Sequence, residues 1–203
     1  MADIGRGFRC TRLRAVMAAG IGDETFRECG WRKVRHTVIR AVPVHETPGP
    51  APDPRLHILP DDQSTAIWSD WVEAHWRHYQ ATHTDNPPVL PSGGPRALFL
   101  GDDLEAGNAV ALIEAGRVVG FASLRAVAGE CAESGWIAAP GIREGMATLW
   151  HWMMRRARAL GVSVIELEAD DSDPDLWALC ATLSAERETR YVIWETRIEE
   201  SRV

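Results

Sequence analysis

Six of the chain's twelve prolines fall between Pro43 and Pro60, five of them in the run Pro43-Val-His-Glu-Thr-Pro-Gly-Pro-Ala-Pro-Asp-Pro54. Proline fixes φ and removes a backbone donor, so this stretch is excluded from helix interiors and central strands and reads as a semi-rigid extended linker. It divides the chain into an N-terminal extension of open fold (residues 1–45), a proline-rich linker (46–60) and a main domain (61–203). The clearest element of the extension is Arg35-His-Thr-Val-Ile-Arg-Ala-Val42, β-branched and strand-like.

After the linker the periodicity becomes helical. Ile67, Trp68, Trp71, Val72, His75, Trp76 and Tyr79 recur at spacings of three and four and form one wide aromatic stripe, with Asp61, Asp62 or Ser64 available as a cap. Asn86-Pro-Pro-Val-Leu-Pro-Ser-Gly-Gly-Pro95 ends this helix in a loop, and a short helix is expected near 97–105. Ala109–Ile113 and Arg117–Arg125, joined by Glu-Ala-Gly, have the pattern of an antiparallel hairpin, which Cys131–Ala138 extends. A second helix presents Met146, Leu149, Trp150, Met153, Ala157 and Leu160 on one face, with Arg155, Arg156 and Arg158 around the rest and Gly161 as a stop. Val162–Glu168 reads as a strand, Asp173-Pro-Asp opens a helix carrying Leu176, Leu179 and Leu183, and Tyr191–Ile198 closes as a strand. The order implies an α/β (α+β) domain: a mixed, mostly antiparallel central sheet flanked by helices.

Composition narrows the function. With 22 basic against 29 acidic residues the net charge is −7, which disfavours phosphate backbones and favours cationic partners, so nucleic acid is not expected as a ligand. No run of about 18 apolar residues is present, and Met-Ala-Asp-Ile-Gly-Arg-Gly lacks the basic-then-apolar order of a secretory signal; a cytoplasmic protein without membrane partners is expected. Cys10, Cys29, Cys131 and Cys180 show neither CxxC spacing nor a neighbouring histidine, so neither zinc nor a disulfide framework is indicated. His75, His78 and His83 lack a carboxylate motif, and no metal site is expected. The acidic run Glu166 to Asp175 does not match a calcium loop and reads as capping and solvation. GxxxxGK[ST], GxGxxG, HExxH and GxSxG motifs are all missing.

One segment carries chemistry. A strand through Trp136-Ile-Ala-Ala gives way to Pro140-Gly-Ile-Arg-Glu-Gly-Met-Ala147 and then to the long helix. A turn between a strand's end and a helix's first turn leaves backbone N–H groups without partners, with the positive helix end behind them, and so forms an anion cradle. Gly145 and Ala147 keep the approach shallow, and Arg143 adds a cation suited to phosphate; the same small residues also serve simply to ease helix packing.

Taken together, residues 55–199, about seven tenths of the chain, resemble the GCN5-related N-acetyltransferase (GNAT) family. The resemblance rests on the hairpin ending Gly116-Arg-Val-Val-Gly-Phe-Ala, on Trp136-Ile-Ala-Ala-Pro140, on Arg143-Glu-Gly-Met-Ala147, and on the helix from Asp173 to Cys180. The family's loop pattern is Gln or Arg, two residues, Gly, one residue, Gly or Ala. Gly145 and Ala147 match its last positions, whereas its first falls on Ile142, with Arg143 one place late.

The resemblance implies acetyl-CoA as co-substrate, its pantetheine arm along Trp136, Ile137 and Ala138 where two strands splay. Its diphosphate would meet Arg143, Glu144, Gly145, Met146 and Ala147, with Thr148 and Asp173 nearby. Glu133 takes the place of the glutamate base used by some members. Counting from Asp173, Cys180 takes the place of the tyrosine that protonates the departing thiolate, although a cysteine on an apolar face also reads as a small buried hydrophobe. Trp68, Trp71, Trp76 and Tyr79, with Asp70 and Glu73, lie where the family builds its acceptor site; the stripe reads equally as core, and the loop after Asn86 is an alternative acceptor contact. Phe26–Arg40 echoes the end of such a domain, so the extension is a duplication remnant, an added strand, or an arm exchanged within a homodimer. The expected activity is direct acetyl transfer to an amine of a small cationic acceptor. The alternatives are a catalytically inactive acyl-CoA-binding regulatory module, and a pure interaction domain.

Overall fold

The computed structural model describes residues 12–45, 53–84, 90–101, 104–105, 107–142 and 144–197, with the side chains of 126 and 127 left aside. Residues 46–52 of the proline linker, 85–89 and Arg143 therefore lie outside the described residues. The strands are β1 (Arg12–Ala18), β2 (Arg32–Pro43), β3 (Leu56–Ile58), β4 (Ala109–Glu114), β5 (Arg117–Ala128), β6 (Cys131–Ala138), β7 (Val164–Asp170) and β8 (Arg187–Arg197). The helices are α1 (Asp23–Glu28), α2 (Ala66–Thr82), α3 (Gly94–Leu100), α4 (Gly145–Ala159) and α5 (Pro174–Thr182). All eight strands form one sheet in the order β1-β8-β2-β7-β6-β5-β4-β3, antiparallel throughout except for the parallel pair β6–β7.

The segment before the proline run is part of this sheet. β2 lies between β7 and β8, paired from Thr37↔Asp170 to Pro43↔Val164 on one side and from Arg32↔Glu195 to Ala41↔Arg187 on the other. β1 then pairs with the outer edge of β8. Of the readings open for the extension, the added strand describes this position. α1 closes the corner through Phe26, whose ring stacks on the buried Trp194 at 5.3 Å and meets Trp31 edge-on at 5.2 Å.

Each sheet face buries its own core. Ala122, Leu124, Ala132 and Ile137 face Leu149, Trp150, Met153 and Ala157 of α4 and Leu176 and Cys180 of α5. On the opposite face Ala109, Ala111, Phe121 and Ala138 pack against Trp68, Trp71 and Val72 of α2 and Phe99 and Leu100 of α3. The aromatic stripe of α2 is mainly core, and its two buried indoles are satisfied there: Trp68 Nε1 donates to Pro60 O at 2.8 Å and Trp71 Nε1 to Val110 O at 3.1 Å. The β4–β5 hairpin turns through Ala115 and Gly116, both at positive φ, the conformation a two-residue hairpin loop demands. α3 begins and ends a few residues earlier than the pattern predicts, with a proline in its first turn.

β6 and β7 are paired only at Cys131↔Val164, Ala132↔Ile165 and Glu133↔Glu166. Beyond that point β6 stays with β5 as far as Phe121↔Ala138, while β7 stays with β2 as far as Thr37↔Asp170. A register shift in β6 accompanies the divergence. It passes through Gly135, where a Cβ would stand 2.0 Å from Ser123 Oγ, so only glycine fits. No described helix is long and apolar enough to cross a membrane.

The N-terminal strands are tied to β8 by charge as well as by the ladder. Glu195, fully covered, receives Arg14 Nη2 at 3.0 Å from β1 and Arg32 Nη2 at 2.6 Å from β2, with Arg12 at 3.7 Å. Burial alone would raise its carboxyl pKa, but the hydrogen bonds and charges of Arg32 and Arg14 bring it below the usual value. A depressed carboxylate stabilises fully above its unfolded pKa and loses that contribution as pH falls through the native one. Glu195→Ala is expected to lower stability at neutral pH by about 1.5–3 kcal/mol, the worth of hydrogen bonds to a charged group. Urea titration at pH 7 and at pH 3 reads this, with the difference between variant and wild type shrinking in acid and amide exchange in β1 accelerating.

Candidate active site

The divergence of β6 and β7 opens a cavity of about 340 Å³ on the sheet face covered by α2 and α3. Ser134, Gly135 and Trp136 of β6 form one wall and Glu168 and Asp170 of β7 the other. Tyr79 and His83 close it from the end of α2, Leu98 from α3, Arg125 from β5, Arg35 from β2, and Asp173 and Leu176 from the start of α5. Side-chain alternation accounts for this lining. Ile165, Leu167 and Ala169 point into the α4–α5 core, so Glu166, Glu168 and Asp170 share the other face.

The cavity is polar and internally paired. Asp170 accepts a short hydrogen bond from Thr37 Oγ1 and stands 3.1 Å from Arg35 Nη1 and 3.4 Å from His83 Nε2. Burial alone would raise its pKa; the hydrogen bonds from His83 and Thr37 and the Arg35 charge outweigh it and hold the carboxyl below its usual range. Glu168, two residues back on the same face, moves the other way: desolvation first, then the negative charges of Asp170 and Glu133, raise it against the opposing Arg35 and His83. Neighbouring carboxyls pushed in opposite directions are a signature of acid/base division of labour. Tyr79 stacks on His83 at 4.2 Å and meets Trp136 edge-on at 5.1 Å, and burial raises its phenol. Arg125 donates to Phe99 O.

The helix start identified in the sequence lies at the far end of β6. α4 begins at Gly145, capped by Glu144 at φ 62, and Gly145 N–H donates to Ile142 O at 3.0 Å. Gly145 is required by packing: a Cβ there would sit 2.6 Å from Ala139 Cβ and 3.0 Å from Ile142. Met146 and Ala147 follow in the first turn and, with Glu144 and Gly141, line an open groove whose other wall is Asp175, Ala178, Leu179 and Thr182 of α5. Thr148 is buried, and its N–H returns to Glu144 O at 2.9 Å. Arg143 lies outside the described residues.

The residues picked out by the sequence occupy different environments. Trp136 lines the cavity, whereas Ile137 and Ala138 point into the two cores. Glu133 is exposed, on the part of β6 still paired with β7, and does not line the cavity. Cys180 is buried in the core beneath α5, where desolvation raises its thiol pKa, and is likewise absent from the lining. Trp68 and Trp71 are core, and Asp70 is engaged by Val118 N–H at 2.7 Å and by Arg117 at 3.3 Å. The histidines are separated: His75 is sealed between the rings of Trp71 and Phe121, His78 faces Asp173 and His83 faces Asp170. Among the described residues no three His, Cys, Asp or Glu side chains converge to hold a metal ion.

Glu168, Asp170 and Arg35 are the functional candidates that sequence reasoning missed. The two acids sat in a run attributed to solvation. The strand alternation of 164–170 would have placed both on the face opposite the apolar residues.

The three-dimensional comparison gives this arrangement a context. No family model and no curated protein matches the sequence. Among solved structures, a GCN5-related N-acetyltransferase from Sphaerobacter thermophilus is similar over 93% of this chain (TM-score 0.59, 18% identity), of which this chain spans 60%. A tandem GNAT protein from the clavulanic acid biosynthesis pathway is similar over 98% (TM-score 0.57, 15% identity, 68% of that chain spanned). A GCN5-related N-acetyltransferase from Kribbella flavida is similar over 95% (TM-score 0.56, 17% identity, 71% spanned). The fold of this chain is the GNAT fold.

Asp173 joins both sides of the crevice. Its Oδ1 accepts Leu176 N–H at 3.1 Å as the N-cap of α5, and its Oδ2 lies 2.6 Å from His78 Nε2 of α2. Asp173→Ala removes both contacts and is expected to lower stability by at least about 1 kcal/mol, the ordinary worth of a cap. Asp173→Asn keeps an equally good cap and restores most of the loss. Urea midpoints of the two variants against wild type check this order.

Proposed function

We propose that the protein is an acetyl-CoA-dependent N-acetyltransferase that joins an acetyl group to an amine held in the cavity between β6 and β7. The observation that carries this reading is the three-residue pairing of β6 with β7, which leaves the edge of β6 from Ser134 to Ala138 facing an open crevice that ends at the start of α4. Backbone groups on such an edge need partners, and an extended amide-bearing arm supplies them.

The residues present fit that donor. The edge of β6 would hold the pantetheine amides, and the amides at the start of α4, Met146 and Ala147 in the groove opposite α5, would meet the diphosphate in the field of the helix dipole. Gly145 contributes by letting the loop from Ala139 to Ile142 fold tightly against the helix, which sets where those amides point. The bound donor supplies a reactive acetyl thioester.

The chain's own residues then manage protons. An ammonium acceptor must lose one before its nitrogen lone pair can attack. Glu168 lines the cavity with a carboxyl whose pKa is raised by desolvation and by Asp170, so it is a better base than an ordinary glutamate and is our candidate for this role in place of Glu133. Asp170, tied to Arg35, Thr37 and His83, stays ionised and orients rather than titrates. Tyr79 keeps its phenolic proton at neutral pH and holds it on the cavity wall, available to a leaving group; it replaces Cys180 as the candidate acid.

Calorimetric titration with acetyl-CoA, followed by a screen of amines for CoA release, tests the assignment, and absence of donor binding at high micromolar concentration removes it. Donor binding with no acetylated product from any amine would instead favour the non-catalytic acyl-CoA-binding module. Glu168→Gln is expected to lower kcat by about 10² to 10⁴ with donor affinity unchanged. Because the native carboxyl is raised, its base form fills only above the ordinary glutamate range, so the acid limb of the kcat/KM profile should lie at correspondingly higher pH and vanish in Glu168→Gln.

A further inference from the structure

We infer that the acceptor is an amino-acid-type molecule, carrying a carboxylate beside its amine, and that Arg35 of the N-terminal strand β2 receives that carboxylate. The inference deepens the reading of the β6–β7 cavity as the acceptor site and rests on it.

Arg35 brings a guanidinium to the cavity wall. Its side chain is only 10% exposed, it lines the cavity, and its Nε and Nη1 make no well-aligned hydrogen bond among the described residues. Its ion pair with Asp170, at 3.1 Å from Nη1, engages one edge of the fork, and Asp170 also takes Thr37 Oγ1 and His83. A guanidinium offers five N–H groups in a planar fork matched to a carboxylate, and hydrogen bonds between charged partners are among the stronger ones.

The remaining lining fixes the rest of the molecule. Glu168, the acid of the cavity that no described basic side chain binds by a hydrogen bond, lies on the same face and is the partner for an ammonium group. Trp136, Tyr79 and Leu98 offer flat and apolar surface for a side chain. At about 340 Å³ the space is near the lower end of ordinary ligand pockets, about 300–1,000 Å³, and holds a group of about amino-acid size. A purely cationic acceptor, the expectation from net charge alone, would stand beside two guanidinium groups, Arg35 and Arg125. The position of β2 also gains a reason: inserted between β7 and β8, it carries Arg35 to the site from the far side of the proline linker.

The test uses matched pairs that differ only in the carboxylate: phenylalanine and phenethylamine, leucine and isopentylamine, and the product-like N-acetylphenylalanine and N-acetylphenethylamine. Binding to the donor-free protein is measured by calorimetry, and CoA release is followed separately with the two amine pairs. The carboxylate-bearing member is expected to bind about 10- to 100-fold more tightly, the worth of one or two charge-assisted hydrogen bonds. Arg35→Gln should erase the preference and Arg35→Lys, which keeps the charge but not the fork, should retain part of it, while acetyl-CoA affinity stays at the wild-type value in both. If Arg35→Gln fails to fold, the wild-type preference decides alone. Equal binding within the pairs, or no binding of any carboxylate-bearing member at millimolar concentration, overturns the inference. A protein that acetylates amines without this preference keeps its proposed function and loses only the substrate class, whereas one that prefers the carboxylates but binds no acetyl-CoA loses the function and keeps the site.

Discussion

The structure turns on two strands that begin together and then part. β6 and β7 share three paired positions, after which each follows a different neighbour, β5 or β2. A parallel pair that ran its full length would satisfy all its backbone groups and leave no opening. Divergence leaves an edge in the middle of the sheet, which is costly unless something pairs with it or fills the gap. Inside the protein the gap is partly filled by side chains, the Asp170 network and the Asp173–His78 contact both standing where β7 ends. The rest stays open as the cavity.

What holds the strands apart is packing on the two faces. The bulge through Gly135 sets β6 against Ser123 with no room for a Cβ, and Gly145 lets α4 start directly against Ala139. α2 covers the opposite face with a stripe of indoles and with His75, whose burial between Trp71 and Phe121 drives its pKa far below the usual value and keeps the ring neutral. Rigid aromatic packing there fixes Tyr79 and His83, the last turns of the same helix, at the cavity wall. The buried charges around Asp170 stabilise little on their own, since desolvation offsets much of their attraction. Their effect is to orient Arg35 and Thr37 of β2 and His83 at the end of α2.

Much of this was legible along the chain. The apolar runs of β4 and β5, the turn at Ala115-Gly116, the amphipathic α4 ending at Gly161 and the capping of α5 by Asp173 are local patterns, and each appears where its pattern predicts. β1 and β3 were not foreseen, and α1 only through the echo at Phe26–Arg40. They are short, and mixed in polarity: β1 and β3 are edge strands, and α1 buries no residue completely. For the site, Trp136 and the α4 N-terminus came from a local strand-turn-helix signal. Glu133 was chosen by its place at the start of β6, which the structure leaves exposed and still paired, and Cys180 by counting along a helix whose face turns into the core.

Local periodicity therefore determined the elements, the mixed sheet and the helix start that an anion could meet, because these depend on residues a few positions apart. Which acids and bases share a cavity depended instead on strand order. Arg35 and Asp170 are separated by the proline linker and most of the domain, yet β2 is hydrogen-bonded beside β7 and brings them within 3.1 Å. Only the assembled sheet sets that pairing, because backbone hydrogen bonds fix the register of two strands while nothing in either strand's own pattern names its neighbour.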